Sequence, residues 1–399
     1  MHNSRSRWRL VFREDSVDRT RYLRLGLLIL FAAFFAYRYF TLSQVIYPIF
    51  VALWIAVIVL SLTRLISTRW QGLAANIGIS LVFLDLVFYK LDISTMLIAL
   101  KQAKYYMFIP ALAILAIALV IRTWRWHWLL YQTKTARFYS LFSSLMIGTA
   151  ANMVLPARAG EFIRAYFLGR REKISKTTAF ATIVVERIFD GLTILLFLLL
   201  VVILTGAKND EIKYMGYLGA AFYLGVVVGL FLLYFRRDFL IRLIEALLPQ
   251  TLAAKIEGIL DAFLEGMQVM RNGRQLFMVV LLSLATWVGF ALSFWPVLLA
   301  FDFGAPVPYY AAFLVIAFDA LGLTIPGAPA GIGIFQYVTV VALRIAFTLS
   351  GAELAANFDE VAAVFSLALH FSQVAPEVLV GLYCFLRENV SLREVEVGI

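Results

Sequence analysis

Apolar stretches of about twenty residues recur along this chain, and no other feature restricts its fold so tightly. A helix needs roughly 20 residues to cross the hydrocarbon core of a bilayer. Inside that core every backbone N–H and C=O must find a partner within the protein, which leaves helices or a closed barrel. Candidate helical spans fall at about 22–40, 43–63, 73–89, 107–123, 177–204, 214–235, 276–300 and 361–386. With 62% hydrophobic and 15% charged residues, the chain has more greasy surface than one soluble core can hide. The expected architecture is an all-α polytopic transmembrane bundle.

Composition also excludes chemistry. A single cysteine, Cys384, rules out an intramolecular disulfide, a thiolate zinc site and an iron–sulfur cluster. His2, His127 and His370 lie too far apart in sequence to suggest a metal cage, and no phosphate-binding loop of the G-x-x-x-x-G-K type occurs. No cofactor is therefore expected. The net charge of +10 reads as loops facing anionic lipid, not as a nucleic-acid surface.

Lysine and arginine set the orientation. Seven arginines precede position 25, ahead of an apolar stretch with no small-residue cleavage site, which reads as an uncleaved anchor. With the N-terminus inside and the interrupted stretches at about 138–168 and 309–348 taken as re-entrant, cytoplasmic segments hold 27 lysines and arginines and outer segments 6, with Arg187 and Arg344 left within apolar stretches. Both termini are then expected in the cytoplasm of a cell (inner) membrane protein. A charged segment at 236–275, with Ile256, Leu260, Phe263, Met267 and Met270 at helical spacing, is expected to rest on the membrane surface.

Two further apolar stretches, about 138–168 and 309–348, are interrupted by proline and glycine. The first reads Gly148-Thr-Ala-Ala-Asn152-Met-Val-Leu-Pro156-Ala-Arg158-Ala-Gly160-Glu161-Phe-Ile-Arg164. The second reads Leu321-Gly-Leu-Thr-Ile-Pro326-Gly-Ala-Pro-Ala-Gly331-Ile-Gly333-Ile-Phe-Gln336. Proline removes a ladder donor and glycine permits a tight turn, so each break frees backbone groups that must be covered or line a wet cavity. The restarting helix presents its positive end there, which suits an anionic headgroup. Opposed broken helices in two halves suggest re-entrant hairpins of an inverted repeat around a midplane site; ordinary spans with proline kinks are the alternative.

Charge within the spans marks the candidate site. Arg158, Glu161 and Arg164 follow the first break at three-residue intervals, and Glu186, Arg187 and Asp190 lie within the next apolar run. Intramembrane ionisable groups cost roughly 2.5–3.5 kcal/mol each on insertion scales unless paired or wet, and so point to function; a structural ion pair between helices is the plainer reading. Asp319, seven residues before Pro326, is a weaker candidate, and Asp85, Arg344, His370 and Glu377 stand isolated in sequence. The segment Arg122-Thr-Trp-Arg125-Trp-His-Trp128 reads as an interfacial anchor closing the fourth span.

These motifs, taken in order, resemble the transmembrane region of lysylphosphatidylglycerol synthases, a flippase-like family that also occurs as stand-alone membrane proteins and fused to polyprenol-phosphate glycosyltransferases. The likeness rests on Arg122–Trp128, on Asn152 with Pro156-x-Arg158-x-Gly160-Glu161-x-x-Arg164, on Glu186-Arg187-x-x-Asp190, and on Pro326 with Gly331-x-Gly333. It covers about residues 74–390. Residues 1–73, a basic segment with two extra helices, fall outside it, and 391–399 form a short tail expected in the cytosol. The resemblance implies a central lipid-handling site of Asn152, Pro156, Arg158, Gly160, Glu161, Arg164, Glu186, Arg187, Asp190, Gly331 and Gly333. A glutamate usually follows the second glycine motif, where this chain has Gln336. No soluble aminoacyl-transferase domain is present in this sequence, so synthesis of lysyl-lipid is not expected.

The function expected is translocation of an anionic phospholipid or polyprenyl-phosphate-linked lipid between leaflets, without enzymatic chemistry. Membrane lipids are the expected partners, with a separate synthase or glycosyltransferase as a further one and no nucleic acid. Two alternatives stand beside it: a membrane-embedded glycosyl or phosphoryl transferase, and a non-catalytic subunit of a lipid-modifying enzyme.

Overall fold

A computed structural model of the chain describes residues 4–42, 46–131, 136–155, 159–205, 237–247 and 272–388, with scattered positions between 221 and 257. Every regular element among the described residues is helical. In chain order these are α1 (Ser4–Leu42), α2 (Ile46–Leu62), α3 (Thr68–Phe88), α4 (Ile93–Gln102), α5 (Phe108–Leu130), α6 (Phe138–Val154), α7 (Gly160–Glu172) and α8 (Lys176–Thr205). They continue as α9 (Arg237–Leu247), α10 (Gly273–Ala300), α11 (Ala311–Gly322), α12 (Ile334–Ser350) and α13 (Phe358–Leu386). Seven helical stretches among the described residues are long and apolar enough to cross a membrane: Tyr22–Leu42, Trp70–Phe88, Tyr105–Leu130, Lys176–Thr205, Gly273–Ala300, Pro329–Ser350 and Phe358–Leu386. Helices α2, α6 and α11 are apolar but shorter. The expected span at 214–235, most of the surface segment at 236–275 and the tail at 391–399 lie outside the described residues.

The chain forms two compact units: Met1–Tyr89 with Leu323–Tyr337, and Lys90–Gly322 with Val338–Ile399. In the first, α1 packs on α2 and α3 around Leu28, Phe31, Phe35, Tyr47 and Trp54. Asp85, isolated in sequence, accepts from Arg38 Nε at 2.6 Å and from the Tyr47 hydroxyl at 2.8 Å, so it ties α1 to the start of α2. The Arg38 guanidinium also lies 3.8 Å from the centre of the Tyr89 ring.

In the second unit α10 lies along α5, α13 along α6, and α7 against both α6 and α8. Lipid is as apolar as leucine, so burial alone does not join helices in a membrane; close approach over small residues does. The α6–α7 hairpin shows this. A Cβ on Gly160 would overlap the Gly148 carbonyl oxygen, and one on Gly148 would lie 2.6 Å from Arg164 Cβ. Between α10 and α5, Gln275 Nε2 donates to the Trp128 carbonyl at 2.6 Å. Helix α5 continues to Leu130 rather than stopping near 123, which carries Arg122 and Arg125 into the bundle.

Candidate functional site

The site is built on α8. Its Glu186, Arg187 and Asp190 interrupt an otherwise largely apolar sequence, and Glu186 lies ten residues in from Lys176, about 15 Å along the axis. Glu186 is fully buried and receives four guanidinium groups. Arg164 from α7 grips it with both ends of its fork, Nη1 to Oε1 at 3.0 Å and Nη2 to Oε2 at 2.8 Å. Arg187 Nη2 donates to Oε1 at 2.7 Å, Arg125 Nη2 lies 3.1 Å from it, and Arg122 approaches at 3.4 Å. One turn further on, Asp190 accepts from Arg125 Nη1 at 2.6 Å and from the Trp287 indole at 2.8 Å, with Arg187 at 3.2 Å.

Packing fixes the inner members. Arg164 stacks on Trp126, 3.7 Å from guanidinium carbon to ring centre, and Trp126 donates to the Thr182 hydroxyl at 3.0 Å. Arg125 also donates to Ser283 at 3.2 Å. Arg125 and Arg164 are both fully enclosed, at 0% and 2% exposure, and spend their charge on protein carboxylates. The outer members differ. The Arg187 side chain is 42% exposed although it stands at the centre of a span-length helix, and Glu161 (22% exposed) is its other neighbour at 4.0 Å. A guanidinium open to hydrocarbon at that depth is expensive, so this position calls for water or an anionic group. Glu377 on α13 is buried and within electrostatic reach of Arg122.

The two breaks share a capping device. In the first, Asn152 Oδ1 accepts the Gly160 N–H at 2.8 Å at the start of α7, and its Nδ2 donates to Glu161 at 3.4 Å. In the second, Gln336 Oε1 accepts the Gly333 N–H at 2.7 Å, the pattern of a third helical residue reaching back to the N-cap. One helix-starting N–H in each break is thus committed to a side-chain amide. Gly331 and Gly333 have φ of +71° and +89°, which L side chains rarely adopt, and Ser80 Oγ accepts from Ala328 N at 2.8 Å. Pro326 lies exposed in the irregular segment before them.

The structure thus brings Asn152, Gly160, Glu161, Arg164, Glu186, Arg187 and Asp190 together. Gly331, Gly333 and Gln336 shape the second break, Asp319 bonds Thr339 at 2.8 Å, and Pro156 and Arg158 lie outside the described residues. The reading of Arg122–Trp128 as an interfacial anchor is corrected: Arg125 and Trp126 are enclosed, and both arginines turn toward α8. Their i, i+3 spacing, which puts them on one helix face, was the available signal. Trp287, Ser283 and Thr182 had none. Among the described residues no group of histidine, cysteine and carboxylate side chains is arranged to hold a metal ion.

Comparison with known proteins gives concordant results. The model of the lysylphosphatidylglycerol synthase transmembrane region matches residues 73–370. Glycosyltransferase AglD of Haloferax volcanii is 26% identical over 362 residues, covering 82% of this chain and 56% of that protein. Two UPF0104 membrane proteins of Methanocaldococcus jannaschii also match. MJ1595 is 36% identical over 98 residues (23% of this chain, 29% of the relative), and MJ1078 is 26% identical over 194 residues (49% and 79%). The chain thus spans little more than half of AglD and less than a third of MJ1595. No solved structure matches it.

Proposed function

Because this chain belongs to the family of the lysylphosphatidylglycerol synthase transmembrane region, we propose that it moves an anionic lipid headgroup, on a phospholipid or a polyprenyl phosphate, between the leaflets of a cell membrane. The observation that carries this reading is Arg187, half open at the centre of α8 above two buried carboxylates. Phosphate is the ligand such a guanidinium suits, since it accepts forked hydrogen bonds and supplies the missing negative charge. Arg122, 14% exposed beside it, is the second contact, while Arg125 and Arg164 hold the platform. No bond is made or broken in this scheme, both termini face the cytoplasm, and drive comes from a gradient or from mass action.

The test is scrambling of a fluorescent anionic phospholipid in vesicles containing the purified chain, read by bleaching from outside. Arg187→Ala is expected to slow it about 10- to 100-fold, the equivalent of losing one charged hydrogen bond, with folding retained. Equal rates in wild type and variant overturn the site, and no scrambling by wild type overturns the activity. A second reading, subunit of a separate glycosyltransferase, draws on the part of AglD that this chain does not cover. Co-purification of such an enzyme with a chain inactive alone favours it.

A further inference from the structure

We propose that Asp319 is a proton-binding site coupled to movement of the second broken hairpin. The proposal deepens the translocation reading by naming the coupled ion, and rests on it only for its transport readout.

Asp319 stands on α11, one turn before Gly322, and is 3% exposed. Thr339 on α12 donates its hydroxyl to Oδ1 at 2.8 Å, while Oδ2 is buried with no hydrogen-bond partner among the described residues. The two helices meet closely here, since a Cβ on Gly322 would lie 2.7 Å from Val338 Cγ1. Tyr310 adds a second tie, its hydroxyl donating to the Ala346 carbonyl at 3.0 Å.

Among the described residues no cation pairs with Asp319. Helix α11 packs on α8 and α10 and is bonded to α12. On α8, Glu186, Arg187 and Asp190 are engaged with one another and with α5 and α7, and α12 offers Arg344, which pairs with Asp359 at 2.5 Å. Among the described residues none of these bonds or pairs with Asp319, and the Thr339 hydroxyl is its hydrogen-bond partner.

Glu186, equally buried, has four guanidinium groups for its charge. Asp319 has one neutral donor, and a bare carboxylate in that setting has nothing to replace the water it lost. A proton taken from solution onto Oδ2 removes the charge and leaves the Thr339 bond to Oδ1 intact, so the arms stay latched. Returning that proton to solution leaves an anion that draws in water and parts α11 from α12. Binding and release of one proton thus favour two arrangements of one hairpin, which is the requirement for coupling.

Two measurements on the full chain decide this. In lipid nanodiscs, infrared difference spectra between mildly acid and alkaline pH are expected to show a protonated-carboxyl band that is missing in Asp319→Asn. In vesicles, wild-type scrambling is expected to change with pH, approaching about tenfold per unit on its steep limb as single-proton linkage allows. Asp319→Asn, which keeps the Thr339 acceptor and mimics the protonated form, flattens that limb without weakening anionic-lipid binding; Thr339→Val shifts its midpoint. An unchanged band in Asp319→Asn, an unchanged limb, or a rate that follows sodium concentration instead of pH each overturns the proposal. Absence of wild-type scrambling overturns the translocation reading, and the infrared band still decides the proton site.

Discussion

The two breaks in this chain are alike in how the second helix of each is capped and unlike in charge. Each interrupts an apolar helix at small residues, and each restarts under the oxygen of a side-chain amide, Asn152 in one and Gln336 in the other. Beside the first, four arginines close on Glu186 and Asp190. Beside the second, Asp319 has a threonine hydroxyl. Similar capping therefore stands beside different electrostatics: a set of opposite charges in one case, and in the other a carboxyl whose hydrogen-bond partner among the described residues is neutral.

The largest expected effect comes from removing the anion at the centre of the first region. Glu186→Ala leaves the buried Arg164 without its carboxylate partner and takes one of two from Arg125, which costs about 3–5 kcal/mol, and Asp319→Asn should cost under about 1.5 kcal/mol because hydroxyl acceptor and volume are kept. Thermal unfolding of the two variants in one detergent checks the difference, and equal losses would remove the electrostatic contrast. Next come the glycines. Gly160→Ala forces a methyl into the Gly148 carbonyl and should cost about 1–3 kcal/mol. Gly331→Ala meets only the movable end of Leu323, so its cost is the left-handed backbone, about 1–2 kcal/mol. Asparagine tolerates the left-handed region and is larger than alanine, so thermal unfolding should show it recovering part of the loss at 331 and deepening the loss at 160, which would separate strain from crowding.

The smallest effect lies outside both breaks. Asp92 caps α4, and the Ser94 and Thr95 hydroxyls with the Thr95 amide hold its carboxyl down to about 2 from 3.8. A carboxyl lowered on folding stabilises the fold above its unfolded value, and that contribution fades as pH falls from 3.8 toward about 2. Asp92→Ala should therefore change stability slightly near neutrality and flatten the acid limb. Any pH response above about 5 that survives this variant arises elsewhere in the molecule.

Much of this was legible in the sequence, and the misses have physical causes. Helix type and the positions of both breaks follow from run length and from proline and glycine, which act locally. The Glu186–Arg187–Asp190 patch follows from periodicity along one helix. Arg122 and Arg125 were misplaced because tryptophan beside arginine is also how an interface reads, and the choice depends on where α5 ends. Trp287 is 97 residues from Asp190 along the chain and Ser283 is 158 from Arg125, and their proximity is a product of helix packing that no local pattern encodes. The pairing of Asp85 with Arg38 and Tyr47 was hidden for the same reason.

Helix α1 has a practical consequence. It runs unbroken for 39 residues, about 58 Å, and its apolar part begins at Tyr22. Some 18 residues, about 27 Å, therefore stand beyond the hydrocarbon, and arginines at 5, 7, 9, 13, 19 and 21 make that extension a natural tryptic tag. Sealed vesicles of known sidedness treated with trypsin would report, from the loss of a short N-terminal piece, which way the protein faces.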